Sequence, residues 1–277
     1  MVATPIGNLG DITGRAVAIL AGADVVACED TRKTRALLVA HGITARTLAY
    51  HEHNADKARP GLIARLARGE AVALVSDAGT PLVSDPGYKL VRAAIEAGLR
   101  VIPVPGPSAA LAALVASGLP SDRFMFIGFL PARGAARRRA LDQIKEIAAT
   151  LILYESARRL PSALADMARV LGPREAAVAR ELTKLHEEVR HGTLAALAAH
   201  YHGAGAPKGE VAVVIAPPAP GAGAAITEAD LDARLKAALE TGTVRDAAAL
   251  VSAATGVARK RVYARALALA GRRSPGP

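Results

Sequence analysis

Residues 71–97 read AVALVSDAGTPLVSDPGYKLVRAAIEA, and the rest of the fold follows from them. The stretch opens on a short apolar run, AVALVS (71–76), and continues through a Gly/Pro-rich loop, 76–87. It closes on 87–97, where Leu90, Val91, Ala94 and Ile95 make one apolar stripe that can lie on a sheet. Strand, stiff loop and amphipathic helix repeat outward from here in both directions. Strands are expected at 1–4, 24–28, 71–76, 99–104, 124–129, 149–154, 175–181 and 210–216. Helices are expected at 13–21, 31–41, 55–68, 87–97, 108–117, 135–147, 158–171 and 193–202. That alternation specifies an α/β protein with a largely parallel sheet. The Pro-Val-Pro-Gly-Pro segment 103–107 cannot be regular structure, because its prolines lack amide donors and fix φ. It divides an N-terminal α/β lobe, 1–104, from a C-terminal α/β lobe, 105–216. Residues 217–225, PPAPGAGAA, have linker composition. Beyond them 226–277 reads as a small all-helical domain with helices at 227–240, 244–254 and 258–270. It is either a helix-turn-helix-like RNA-binding module or a cap on the α/β body.

The 277 residues are 51% hydrophobic, in stretches far shorter than the roughly 20 apolar residues of a membrane span. Residues 1–20 hold Pro5, Gly7, Gly10, Asp11 and Gly14 where a secretory leader would be basic and then apolar. A single cysteine, Cys28, can form no internal disulfide, and a reducing, cytoplasmic location is the simplest expectation. The formal charge of +10 favours a polyanionic partner. It is concentrated in 247–277, where Arg259, Lys260, Arg261, Arg265, Arg272 and Arg273 meet no acidic residue, and in Arg133, Arg137, Arg138 and Arg139.

Ligands of open α/β sheets bind at the carboxyl ends of strands, and three stiff loops fall there: 4–11, 76–87 and 105–109. None carries the Gly-Lys-Ser/Thr of a nucleoside triphosphate loop or the G-x-G-x-x-G that opens a dinucleotide-binding helix. Asp77 directly follows a buried strand, where the hydroxyls or ammonium of a ligand would arrive. Asp85-Pro86-Gly87 reads as a turn and helix start, with Asp85 as N-cap and Pro86 as the first helical residue. Polar clusters at strand ends, CEDTRKT (28–34), YHEHN (50–54), Tyr154-Glu155-Ser156 and 181–188, mark functional positions. His51 and His53 lack the third ligand of a zinc site, and no metal is expected.

Taken in order, TPIGNLGDIT (4–13), CEDTRKT, YHEHN, VSDAGTPLVSDPGY (75–88), PVPGPSA (103–109), FIGFLP (126–131), YESARRL (154–160), RELTKLHEEV (180–189) and KGE (208–210) resemble the ribosomal RNA branch of the tetrapyrrole methylase superfamily. The resemblance runs over about residues 2–216, and the C-terminal helical segment is also similar to a small extra domain of that branch. It implies a two-lobed class III methyltransferase fold with S-adenosylmethionine folded in the cleft between lobes, and a homodimer. The implied reaction is 2′-O-methylation of a cytidine ribose in 16S rRNA of the small ribosomal subunit, at cytidine 1402. By position, Pro5, Ile6, Gly7, Asp77, Gly79, Thr80, Ser108, Ala109, Tyr154 and Leu182 would line the cofactor. Members of the branch carry several more residues before the first motif, so either the first strand is cut short here or the start of the sequence is late. Methylation of a small tetrapyrrole on the same fold, and an RNA-binding assembly factor with vestigial methylation, are the competing readings.

A ribose hydroxyl is protonated at neutral pH, so a base should assist. Glu29 or His51 is expected in that role, with Arg32 and Lys184 holding flanking phosphates. Further RNA contacts are expected from Arg137, Arg138, Arg139, Arg259, Lys260 and Arg261. With only 3% aromatics, base stacking is expected to be minor.

Overall fold

The computed structural model describes residues 1–219 and 228–271. Part of the expected linker, the first residue of the expected helix 227–240, and the cations Arg272 and Arg273 lie outside the described residues. The chain divides into two units, 1–142 with 149–216, and 143–148 with the C-terminal helices.

In the first lobe the elements run α1 (Gly14–Ala21), β1 (Val25–Cys28), α2 (Thr31–Ala40), β2 (Thr47–Ala49), α3 (Ala55–Ala67), β3 (Val72–Leu74) and α4 (Tyr88–Glu96). The three strands form a parallel sheet in the order β2-β1-β3. Strand β1 is buried on both faces, which is why it reads as an unbroken apolar run. Val26 and Cys28 pack with Ala16, Leu20 and Leu38 of α1 and α2, whereas Val25 and Ala27 pack with Tyr50, Leu62 and Leu90 from the α3 and α4 side. The expected strands at 1–4 and 99–104 are reduced to bridges, Val2 to Val104 and Thr4 to Gly79. Pro103 and Pro105 lack the amides that would lengthen the pairing. The short first segment is nevertheless seated in the sheet. Val2 is fully buried, its N–H donates to the Leu74 carbonyl at 2.9 Å, and the Val104 N–H donates to the Met1 carbonyl at 2.8 Å.

The second lobe continues with α5 (Ala109–Ser117), β4 (Phe124–Phe129), α6 (Gly134–Ile144), β5 (Thr150–Ser156), α7 (Leu160–Leu171), β6 (Glu175–Arg180), β7 (Glu188–Thr193), α8 (Leu194–Ala204) and β8 (Glu210–Ile215). Its sheet has the order β4-β5-β8-β6-β7, and only β4 and β5 are parallel. This corrects the expectation of a largely parallel sheet. The segment 181–187 between β6 and β7 is too short for a crossover helix, so β7 must return antiparallel. Strand β7, EVRHGT, is a half-exposed edge without an apolar alternation, and β2 is only three residues long; neither gives a signal in the sequence.

The C-terminal unit comprises α9 (Glu228–Thr241), α10 (Val244–Thr255) and α11 (Arg259–Gly271) around Leu231, Leu235, Ala248, Val251, Val262 and Ala266. Gly256, left-handed at φ 70°, ends α10 three residues before α11 begins, the connection of a helix-turn-helix. Arg265 on α11 forks onto Asp232 on α9 at 2.6 and 2.7 Å. Among the described residues no helix is long and apolar enough to cross a membrane.

Candidate active site

The three loops at strand ends interlock through their backbones. The Thr4 and Gly79 amides and carbonyls exchange hydrogen bonds at 2.9 and 3.0 Å, and the Thr80 hydroxyl donates to the Pro107 carbonyl at 3.1 Å. The Ser108 hydroxyl caps α5 by accepting from the Leu111 N–H. Two glycines permit this closeness. A Cβ on Gly106 would lie 3.0 Å from that of Ala3, and one on Gly7 would lie 2.4 Å from Lys184 Cγ, so the first loop rests on the 181–184 turn of the second lobe.

Between the loops and the ends of β5, β6 and β8 lies a cleft of about 430 Å³, in the range of small-molecule sites. It brings together Ile6, Asp77, Gly79, Thr80, Ser108, Ala109, Tyr154 and Leu182 from the expected cofactor residues. Pro5 and Gly7 do not line it. The wall carries four carboxylates, Asp77, Asp85, Glu155 and Glu210, and no lysine or arginine, in a chain of charge +10.

Three of those carboxylates are engaged by the protein. Asp77 accepts from the Asp30 N–H at 2.9 Å through one oxygen and from Lys33 Nζ at 2.8 Å through the other. Glu155 is buried, with Oε1 accepting from the Ser156 N–H and Arg159 Nε at 2.7 Å each, while Oε2 is buried without a partner. Glu210 pairs with Lys184 at 2.8 Å. Asp85 has no ion pair among the described residues. Burial first, then the charges of Glu29 and Asp77, push its carboxyl up to about 6, against a weaker opposing hydrogen bond from Ser76. It is not the helix cap expected from the sequence. Gly87, with φ 138°, precedes α4, and Pro86 lies outside the helix.

The expected base residues are not part of the cleft lining. Glu29 is exposed at the end of β1 and His51 half-buried after β2, its Nδ1 buried without a partner; neither lines the cleft. Arg32 is exposed and forks onto Asp30. Lys184 is not free for phosphate, because its Nζ lies 2.8 Å from both Glu181 and Glu210. Arg137 is also corrected: its side chain is 6% exposed and is bonded to Asp166, which Arg138 shares. A basic run on an amphipathic helix necessarily turns one member inward, and the sequence shows the run but not the aspartate awaiting it. Arg139, Arg259, Lys260 and Arg261 are exposed.

The sequence pointed to Glu155 only as part of a polar cluster, and to Phe129 and Glu210 not as site residues at all. Phe129, 56% exposed, lines the cleft with its ring edge-on to Tyr154 at 5.6 Å, and Phe126 meets the same tyrosine at 4.9 Å. Aromatics are scarce overall yet gathered here, and FIGFLP was the available signal.

A parallel and a mixed sheet thus supply the loops and strand ends that line one ligand-sized cleft. Solved structures of this fold include diphthine synthase, with TM-score 0.61 and 18% identity over 78% of this chain and 88% of that one. Uroporphyrin-III-C-methyltransferase from Thermus thermophilus gives 0.55 and 23% over 77% and 91%. The family model for tetrapyrrole (corrin/porphyrin) methylases matches residues 1–198, and the model for the RsmI C-terminal HTH domain matches 225–270. Ribosomal RNA small subunit methyltransferase I of Mesorhizobium japonicum is 54% identical over 97% of this chain and 91% of its own length. The protein of that name from Xylella fastidiosa is 49% identical over 95% and 96%. The chain belongs to the tetrapyrrole methylase family, in the ribosomal RNA small subunit methyltransferase I group, and is a methyltransferase.

Proposed function

We propose that this protein transfers the methyl group of S-adenosylmethionine to the 2′-hydroxyl of one cytidine in 16S rRNA, cytidine 1402, acting as a cytoplasmic homodimer. The identity to the Mesorhizobium protein along nearly the whole chain carries this reading. The charge distribution agrees with it. A cleft walled by carboxylates and apolar groups suits a ligand bearing a sulfonium and an ammonium, while exposed cations on α11 suit RNA phosphates. Gly79, left-handed at φ 79°, and Ser108, the cap of α5, bring two of the stiff loops to the cleft.

When bound, S-adenosylmethionine supplies an electrophilic methyl carbon on a positively charged sulfur. The chain's part is to hold it between Ile6, Asp77, Gly79 and Thr80 on one side and Ser108, Ala109, Tyr154 and Leu182 on the other, with Pro5 and Gly7 fixing the first loop. Alignment of the ribose oxygen with that carbon is worth on the order of 7–11 kcal/mol in well-oriented systems. Phe129 at the cleft offers a face on which the target base can stack, worth about 1–3 kcal/mol. Incubation of the chain with labelled S-adenosylmethionine and unmethylated small subunits tests the proposal. Label in 16S rRNA is expected, and label only in an added tetrapyrrole would overturn it.

A further inference from the structure

We infer that Asp85 is the group that takes the proton from the ribose 2′-hydroxyl, an inference that rests on the function proposed above. A base must reach the reacting atoms with a free lone pair. Asp77, Glu155 and Glu210 are each ion-paired, to Lys33, Arg159 and Lys184. Asp85 is the remaining carboxylate, with no ion pair among the described residues.

The backbone is bent to present it. Leu82 and Ser84, just before Asp85, are left-handed at φ 75° and 64°, an unfavourable conformation for side-chain-bearing residues that persists only where the surroundings enforce it. Ser84 packs on Gly128 of β4, where a Cβ would lie 3.2 Å from its Oγ, and the register of β4 against β5 shifts between Phe126 and Gly128. After Asp85, Gly87 turns the chain into α4 at φ 138°, where a Cβ would meet Leu74 at 2.8 Å. The loop is therefore held between the two sheets with Asp85 in the cleft.

The groups facing Asp85 come from each neighbouring element: Glu29 after β1, Ser76 and Asp77 after β3, and Tyr154 on β5. The two carboxylates and burial raise its pKa to about 6. At neutral pH such a group is mostly ionised, yet a stronger base than an ordinary aspartate. As the ribose oxygen bonds the methyl carbon, the carbon–sulfur bond breaks with its electron pair on sulfur. The hydroxyl proton moves to Asp85, which returns it to water.

The test compares the wild type with Asp85→Asn in single-turnover methyl transfer to unmethylated small subunits across pH, in S-adenosylmethionine affinity, and in melting temperature. The wild-type rate should rise through about pH 6 and level off. Asp85→Asn should be slower by a hundredfold or more, on the order of a general-base contribution, with cofactor affinity within about threefold of wild type. Melting supplies an independent readout. A folded pKa raised from 3.8 means that ionisation costs stability as pH rises from about 4 to 6, and the cost persists above. The melting point of Asp85→Asn relative to wild type should therefore be higher at about pH 8 than at about pH 4. A variant within about threefold of the wild-type rate, with the same pH profile, would overturn the inference. So would loss of cofactor binding together with activity, which would make Asp85 a cofactor ligand. A wild type that leaves RNA unlabelled would instead refute the functional reading beneath it.

Discussion

The cleft and helix α11 carry opposite charge within one basic chain. The cleft wall has four carboxylates and no cation, whereas the first turn of α11 is Arg259-Lys260-Arg261, all exposed. Cations at a helix N-terminus oppose the macrodipole, and α9 shows the favourable arrangement, with Glu228 and Asp230 in its first turn. Arg259, Lys260 and Arg261 are thus placed against the helix's own electrostatics. The difference teaches that net charge describes the exposed surface and says nothing of the cleft.

The sharpest way to separate binding cations from structural ones is Arg137→Ala. Removing this buried partner of Asp166 should destabilise the fold by about 3 kcal/mol, the low end for a broken buried pair because Arg138 remains. Denaturant titration measures it, and RNA affinity of the folded variant should not change. Reversing Arg259, Lys260 and Arg261 to Glu should do the opposite. Affinity for small-subunit RNA should fall by on the order of thirtyfold and its salt dependence should flatten by about two to three phosphate equivalents. Cofactor affinity, read by calorimetry, should stay the same; an equal loss of both would break the comparison. Gly87→Ala forces a side chain into φ 138° and onto Leu74, and should cost about 1–3 kcal/mol by thermal melting. The smallest effect is expected from Glu29→Gln. Losing one of the charges that raise Asp85 should move the acid limb of the rate profile down by less than about one pH unit, with the plateau rate nearly kept.

Where apolar periodicity is strong, the sequence sufficed. Strands β1, β4, β5, β6 and β8 and the eleven α-helices of the described residues fall within a few residues of their expected positions, because each buries a continuous run or a stripe. Strand β7 escaped because an exposed edge needs no such pattern. The site was legible as loops, since Thr4, Gly79, Pro107 and Ser108 announce stiff turns at strand ends. Which member of each loop enters the cleft was not legible. Asp85 reads as a helix cap until Gly87 is seen to take that place, and Lys184 and Arg137 read as free cations until Glu181, Glu210 and Asp166 are found against them. Pairings between residues far apart in sequence decide these cases, and local pattern carries no trace of them.

The most direct test of the account is to map the labelled nucleotide after methyl transfer to unmethylated small subunits, by nuclease digestion and mass spectrometry. The account predicts a single ribose-methylated cytidine in 16S rRNA. A methyl group found on a base, on another nucleotide, or on no RNA while S-adenosylmethionine binds the cleft would contradict it.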